Sequence, residues 1–209
     1  MVSVTNEVGL HRLGRANYHH GDLAAALVEA AVQLVRTAGP DHLSLRAIAK
    51  QLEVSPSAVY HYFPDKDALI DGVSDQLFET LARMQREALE KIPGRSARAA
   101  KSRFRELGRI YFQWAHKEPN LFRLMFGGFC KAKEHGSHND KAAFLMLSNC
   151  LDDLLQTGVI SIQMRRYGEL IAWSAVQGVS TLIVEGHLPE EAFEELLDGL
   201  ELALKATGK

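Results

Sequence analysis

The side chains best suited to recognising a partner cluster near the front of the chain: Ser55, Ser57, Tyr60, His61, Tyr62 and Lys66. Hydroxyls, an imidazole and aromatic rings at this density can reach base edges, thymine methyls and phosphate oxygens in a DNA major groove. They do not form an acid–base pair or an activated nucleophile. No Gly-x-Ser-x-Gly elbow, phosphate-cradling glycine loop or His-Glu-x-x-His motif occurs anywhere in the chain, so neither an enzyme nor a cofactor is expected. His135 and His138 have a metal-ligand spacing with Cys130 nearby, but they lack a convincing fourth ligand and read as solvated loop histidines. Cys130 and Cys150 are too few for a disulfide framework. Each sits among apolar residues, where a thiol stays protonated and inert.

Two short helices must hold that cluster outward. Ser44 stands before Leu45, Ile48, Ala49 and Leu52 as an N-cap would, and Ser55-Pro56 repeats the start signal after the turn Glu53-Val54-Ser55. Pro64 ends the second helix. Helix, three-residue turn and helix together make a helix-turn-helix, with Ala49 small at the close approach and Val54 and Val59 supplying a core. The same spacing also fits an ordinary αα-hairpin inside a helical bundle. The next helix favours DNA, because its start at Asp65-Lys66-Asp67 presents backbone N–H groups to a phosphate and Lys66 adds charge. Without DNA, Lys66 is a solvated lysine poorly placed for the helix dipole.

Helical periodicity governs the remainder, so the chain reads as all-α with about nine helices. A first helix runs from about residue 22 to 38 and stops at Gly39-Pro40. A fourth, capped by Asp65, carries Leu69, Val73, Leu77, Leu81, Met84 and Leu89 up to Pro93-Gly94. Helices are expected over residues 96–117, a short apolar segment through 126, 141–157, 165–185 and 189–206. Residues 131–140 read as a loop, and 159–164 alternate weakly without a pairing partner. The resulting division is an arm over 1–17, a small unit over 18–66, a connecting helix over 67–92 and a larger unit over 93–209.

Composition adds exclusions. With 209 residues, 46% apolar and 24% charged, the chain can bury a proper core, which excludes disordered and collagen-like classes. Residues 1–9 lack a signal-peptide layout, and the longest uncharged run, 170–184, is too short to span a bilayer. No membrane partner and a cytoplasmic location are expected. The net charge of −2 gives no hint of nucleic acid. In the first 66 residues Arg12, Arg15, Arg36, Arg46, Lys50 and Lys66 are balanced by Glu7, Asp22, Glu29, Asp41, Glu53 and Asp65. DNA binding would therefore rest on a few placed contacts and a modest salt slope. Residues 83–109 are basic and read as solvated surface with weak attraction to DNA.

Tyr18-His19-His20-Gly21-Asp22-Leu23, then Ser44 to Ala49, then Val54 to Leu69, resemble the DNA-binding domain of TetR-family transcriptional regulators in order and spacing. The resemblance implies a three-helix DNA-binding domain followed by a helical ligand-binding and dimerisation domain. It also implies a homodimer on a pseudo-palindromic double-stranded operator, usually a repressor released by a small-molecule effector. Carried over by position, Ser44 and Arg46 meet phosphates, Ser55, Ser57, Ala58, Tyr60 and His61 face bases or nearby phosphates, Tyr62 grips the backbone and Lys66 fixes register. Arg12, Arg15, Tyr18, His19 and His20 form an arm towards flanking phosphates or the minor groove, or else a frayed, solvated terminus. The family usually has glycine where this chain has Glu53, and a left-handed residue there would cost on the order of 1 kcal/mol. The alternative is a helical sensor or protein-interaction module that no longer reads DNA.

The larger unit must then pair and sense. Ser174, Gly178 and Leu182 on the eighth helix, with Phe193, Leu196, Leu197, Leu200 and Leu204 on the ninth, are expected to form a four-helix bundle with a second chain, or to close the monomer core. Phe104, Leu107, Tyr111, Trp114, Phe122, Met125, Phe126, Phe144, Leu147 and Trp173 are expected to line an effector cavity, although a plain core explains the same residues. Trp173 to Gly178 resembles the Trp-x-x-x-His-Gly segment of one TetR subgroup, with Gln177 in place of histidine. Gln177 can still donate and accept hydrogen bonds.

Overall fold

The structure, a computed structural model, describes residues 20–128 and 142–206. Arg12, Arg15, Tyr18 and His19 of the arm, the side chain of His20, and Cys130, His135 and His138 lie outside the described residues.

Among the described residues there are nine α-helices and no strand. The first, α1 (His20–Ala38), turns Leu27, Ala31 and Val35 fully inward at four-residue steps. Gly39, at φ 91°, swings the chain through a short 3₁₀ turn (Pro40–His42) into α2 (Leu45–Gln51) and α3 (Pro56–Tyr62). One long helix, α4 (Lys66–Leu89), then runs from this small unit into the larger one. The connecting helix expected over 67–92 is thus α4, which ends at Leu89 with Glu90 as its C-cap and is shared by both halves. Gly72 on α4 accepts the Phe63 ring, which a Cβ there would meet at 3.2 Å.

The larger unit consists of α5 (Ala97–Lys117), α6 (Pro119–Phe126), α7 (Ala142–Gln156), α8 (Ile162–Val184) and α9 (Ala192–Ala206). Helices α4, α5 and α7 pack on one another, α8 lies on α5 and α7, and α9 covers α8 and α5. The weak alternation at 159–164 is a turn leading into the Ser161 cap of α8, whose hydroxyl accepts from Met164 N at 3.1 Å.

Helix α6 packs most extensively on α1, while Phe122 and Phe126 also meet Tyr111 and Trp114 of α5. Leu121, Phe122, Leu124 and Met125 share one core with Leu27, Val35, Leu69 and Val73, so apolar packing is continuous between the two halves. Polar bonds reinforce the seam: Arg36 meets Glu118 at 2.9 Å, and Asn120 Nδ2 donates to the Arg36 carbonyl at 3.1 Å.

The basic stretch at 83–109 is less solvated than its composition suggests. Arg105 pairs with Glu194 at 3.0 Å and Asp198 at 2.7 Å, Arg109 pairs with Glu194 at 2.6 Å, and Lys101 reaches Glu201 at 3.3 Å. Arg103 bonds Asp153 and the carbonyls of Ile92 and Gly94. These partners on α7 and α9 neutralise much of the excess available to DNA.

Candidate nucleic-acid interface and interior cavity

Three caps build the recognition surface. The hydroxyl of Ser44 accepts from Ala47 N at 3.1 Å, that of Ser55 accepts from Ala58 N at 3.2 Å, and the Asp65 carboxylate accepts from Ala68 N at 2.8 Å. Each cap contributes about 1 kcal/mol and fixes where its helix begins. Helix α3 is too short to be stable alone, so it depends on burial of Val59, which is 0% exposed. With Val59 inward and Ala58 and Tyr62 beside it, the opposite side of the helix faces out. Pro56, Ser57 and His61 are exposed, Tyr60 is 46% exposed, and Ala58, Tyr62 and Lys66 are half-buried. Tyr62 packs its ring edge-on to His61, and the Ser55 and Ser57 hydroxyls lie 3.0 Å apart. Arg46 is exposed in the first turn of α2. The described residues expected to meet DNA therefore lie on α3, the cap and first turn of α2, and the start of α4.

Glu53 adopts φ 55°, the left-handed conformation in which its family counterpart is usually glycine. Val54 N bonds Ala49 O at 3.0 Å and Glu53 N bonds Lys50 O at 3.3 Å. This pair closes the C-terminus of α2 as a Schellman motif and sets the departure of the chain into α3. The turn is therefore of the ordinary kind, built with a strained residue.

An apolar cavity, open to solvent on one side, lies between α4, α5, α7, α8 and α9. Of the residues expected to form it, Phe104, Leu107, Tyr111, Phe144, Leu147 and Trp173 line its wall. Trp114, Phe122, Met125 and Phe126 do not. They belong to the core joining the two halves, because α6 turns back onto α1. Gln177 also stays out of the wall: its Oε1 accepts from the Tyr111 hydroxyl, and its Nε2 donates to Thr181 at 3.3 Å. Burial holds the Tyr111 hydroxyl protonated well above the ordinary tyrosine range, against a smaller opposing hydrogen bond from Trp173.

Sequence reasoning missed the α4 wall of Phe78, Leu81 and Gln85, together with Gly108, Ala143, Ala172 and Val176. Leu197 and Leu200, expected to meet a second chain, line this cavity instead. A signal for Gln85 was present, because Val73, Leu77, Leu81, Gln85 and Leu89 follow at four-residue steps and only Gln85 is polar. It is 3% exposed, its Nε2 donates to Leu107 O at 3.4 Å, and its Oε1 has no partner among the described atoms. An unsatisfied buried acceptor costs about 1–3 kcal/mol.

The stripe on α9 is corrected as well. Phe193 (1% exposed), Leu197, Leu200 and Leu204 are buried within the protomer, and Phe193 stacks on Phe112 at 4.3 Å between ring centroids. Leu196 is half-buried against the same cluster. These leucines close the monomer core. On α8, by contrast, Ser174, Gly178 and Leu182, expected at a seam with a second chain, are exposed in the protomer. Tyr167, Leu170 (68% exposed) and Ile171 continue the same face, and Leu202 of α9 is exposed too. Apart from its chain neighbours and the backbone of its own helix, nothing among the described residues would lie within 4 Å of a Cβ at Gly178.

Residues 27–73 match the family described as bacterial regulatory proteins, tetR family, and residues 104–200 match the tetracyclin repressor-like C-terminal domain. A stretch of 63 residues is 36% identical to an HTH-type transcriptional repressor of Mycobacterium tuberculosis, covering 30% of this chain and 34% of that protein. The chain thus spans about a third of the length of the curated relatives it matches. A protein of unknown function from Rhodococcus sp. RHA1 superposes with a TM-score of 0.72 at 26% identity, over 92% of this chain and 98% of its own. RolR, solved in complex with resorcinol, has the same fold with a TM-score of 0.63 at 16% identity, over 90% of this chain and 92% of its own. No helix among the described residues is long and apolar enough to cross a membrane, and none of their His, Cys, Asp or Glu side chains cluster as a metal site. With both halves matched in order across most of the chain, the protein belongs to the TetR family of regulatory proteins.

Proposed function

We propose that the protein is a transcriptional repressor that binds a pseudo-palindromic operator as a homodimer in the cytoplasm and leaves it when a small molecule enters the cavity. The observation that carries DNA binding is the disposition of α3, pinned by Val59 and presenting Ser57, Tyr60 and His61 to solvent. On this reading residues 18–66 bind DNA, 67–92 connect, and 93–209 sense and dimerise, with the arm over 1–17 reaching flanking phosphates through Arg15, Tyr18 and His20. Ser44 and Arg46 hold the phosphate backbone, Ser55 and Ala58 set the start of the recognition helix, Tyr62 braces it and Lys66 fixes register. The repressor sense follows the mycobacterial relative, itself a transcriptional repressor.

Dimerisation falls to the exposed face of α8, where Tyr167, Leu170, Ile171, Ser174, Gly178 and Leu182 form an apolar strip with small residues for close helix approach. Gly178→Leu separates the two roles of that face. The protomer tolerates it, since nothing surrounds Gly178, whereas a dimer seam does not, and sedimentation reads the difference. The same helix, α4, bears Leu69, Ile70 and Val73 in the DNA-binding core and Phe78, Leu81 and Gln85 on the cavity wall. A ligand that favours one setting of α4 changes the separation of the two recognition helices, which must match one helical turn of DNA at about 34–36 Å. The resorcinol complex of RolR supports a cavity of this fold as a small-molecule site.

Selection of bound fragments from random DNA tests the whole reading. The wild type should enrich a two-fold symmetric site, and Tyr60→Ala with His61→Ala should abolish enrichment without unfolding the chain. Failure of the wild type to enrich any sequence overturns DNA recognition.

A further inference from the structure

The cavity wall has one asymmetry that specifies a ligand. Its walls are aromatic and aliphatic, with Phe104, Leu107, Phe144, Leu147 and Trp173 enclosing most of the space, and among the described residues none of those lining it carries a charge. An ion entering would lose water without meeting a counter-charge, so uncharged molecules are favoured. The two hydroxyl or amide groups on the wall differ in what they have left to offer. The Tyr111 hydroxyl is already donated to Gln177. Gln85 has spent its amide nitrogen on the Leu107 carbonyl, which fixes the orientation of the carboxamide, since the reverse placement would set two oxygens against each other. Its Oε1 remains without a donor among the described residues.

We propose that the cavity binds an uncharged, largely apolar, ring-sized molecule bearing a hydroxyl or N–H group, and that this group donates its hydrogen bond to Gln85 Oε1. The inference rests on the effector reading above and adds the chemistry of the effector. Gln85 is then the specificity-determining residue, because the Tyr111 hydroxyl is already bonded to Gln177 and Trp173, and the other wall residues offer apolar packing. Its position on α4 also means that the hydrogen bond forms on the helix leading to the DNA-binding core.

Three single-ring probes test this on the full chain by calorimetry: 4-ethylphenol, its methyl ether 4-ethylanisole, and 4-ethylbenzoate. The phenol should bind about tenfold more tightly than the ether, the worth of one net hydrogen bond, and the benzoate more weakly than either. In Gln85→Met, close in shape and without the acceptor, the advantage of the phenol over the ether should fall to about twofold or less. Gln85→Leu gives the same reading should the methionine pack poorly. Equal binding of phenol and ether, tightest binding of the benzoate, an advantage that survives loss of Gln85, or no binding by any probe would each overturn the proposal. Release of the selected operator by saturating phenol separates this from the effector reading. Donor-dependent binding without release removes the effector role and leaves the ligand chemistry standing.

Discussion

Glu53→Gly should stabilise the protein, and the turn between α2 and α3 sets by how much. Glu53 sits at φ 55° as the residue after the α2 C-cap, where the two Schellman bonds to Ala49 and Lys50 demand a left-handed backbone. A side chain there costs about 1–2 kcal/mol through the clash of Cβ with the following carbonyl. Glycine removes that strain but returns about 0.4–1 kcal/mol to the unfolded chain as entropy. The net gain is about 0.5–1 kcal/mol, or roughly 1–4 °C in melting temperature for a chain of this size. Glu53 is exposed and its side chain makes no ion pair among the described residues, so substitution breaks none of those pairs. Glu53→Ala is the control, since it removes the carboxylate and keeps the strain. Urea unfolding at one protein concentration should rank glycine above both alanine and wild type, with alanine close to wild type. The two variants should bind the selected operator equally, because the same two hydrogen bonds set the exit angle in both. If alanine stabilises as much as glycine, the left-handed backbone is not the source and the reasoning fails.

Three further outcomes follow from named groups. With Arg15, Arg46 and Lys66 assigned to phosphates on the proposed reading, a dimer makes six such contacts, so the slope of log K against log salt should lie near about −5, and a value of −10 or steeper would point to a basic surface the reading omits. The Glu194 carboxyl is held below its ordinary value of 4.5, first by its hydrogen bond from Arg109 and also by Arg105, against partial burial. Its contribution to stability is present above pH 4.5 and is lost as pH falls through the depressed value. Glu194→Gln should therefore flatten the fall in melting temperature between about pH 5 and 3, modestly, since the pair is half exposed. Burial pushes the Cys150 thiol up to about 12, with Asp153 adding to the shift and Arg103 opposing it. At pH 8 only about one thiol in ten thousand is ionised, so in a Cys130→Ala background Cys150 should resist a thiol reagent until the chain unfolds. Rapid labelling of the folded protein would contradict that burial.

The recognition unit was legible because its determinants are local. Ser44, Ser55 and Asp65 announce three helix starts within 22 residues of one another, and each cap bonds the amide that its spacing implies. Nothing distant is needed to predict that Val59 points in and Tyr60 points out. The larger unit is different. Periodicity on α6 and α9 marked an apolar face correctly but carried no information about what that face meets. Phe122 and Met125 have the composition of a cavity wall and instead close the seam with α1, while Phe193 and Leu197 have the composition of an interface and instead sit under α5 and α8. A void exists only where several helices converge without filling the space, which is a property of their mutual placement and not of any one of them. What a single helix can reveal is the exception on its own stripe. Gln85 is the one polar side chain in the series from Val73 to Leu89 at four-residue steps, and a polar atom kept in an apolar stripe needs a partner. Leu107 provides for its nitrogen alone, so the oxygen, without a donor among the described residues, is the exception on which the proposed ligand contact rests.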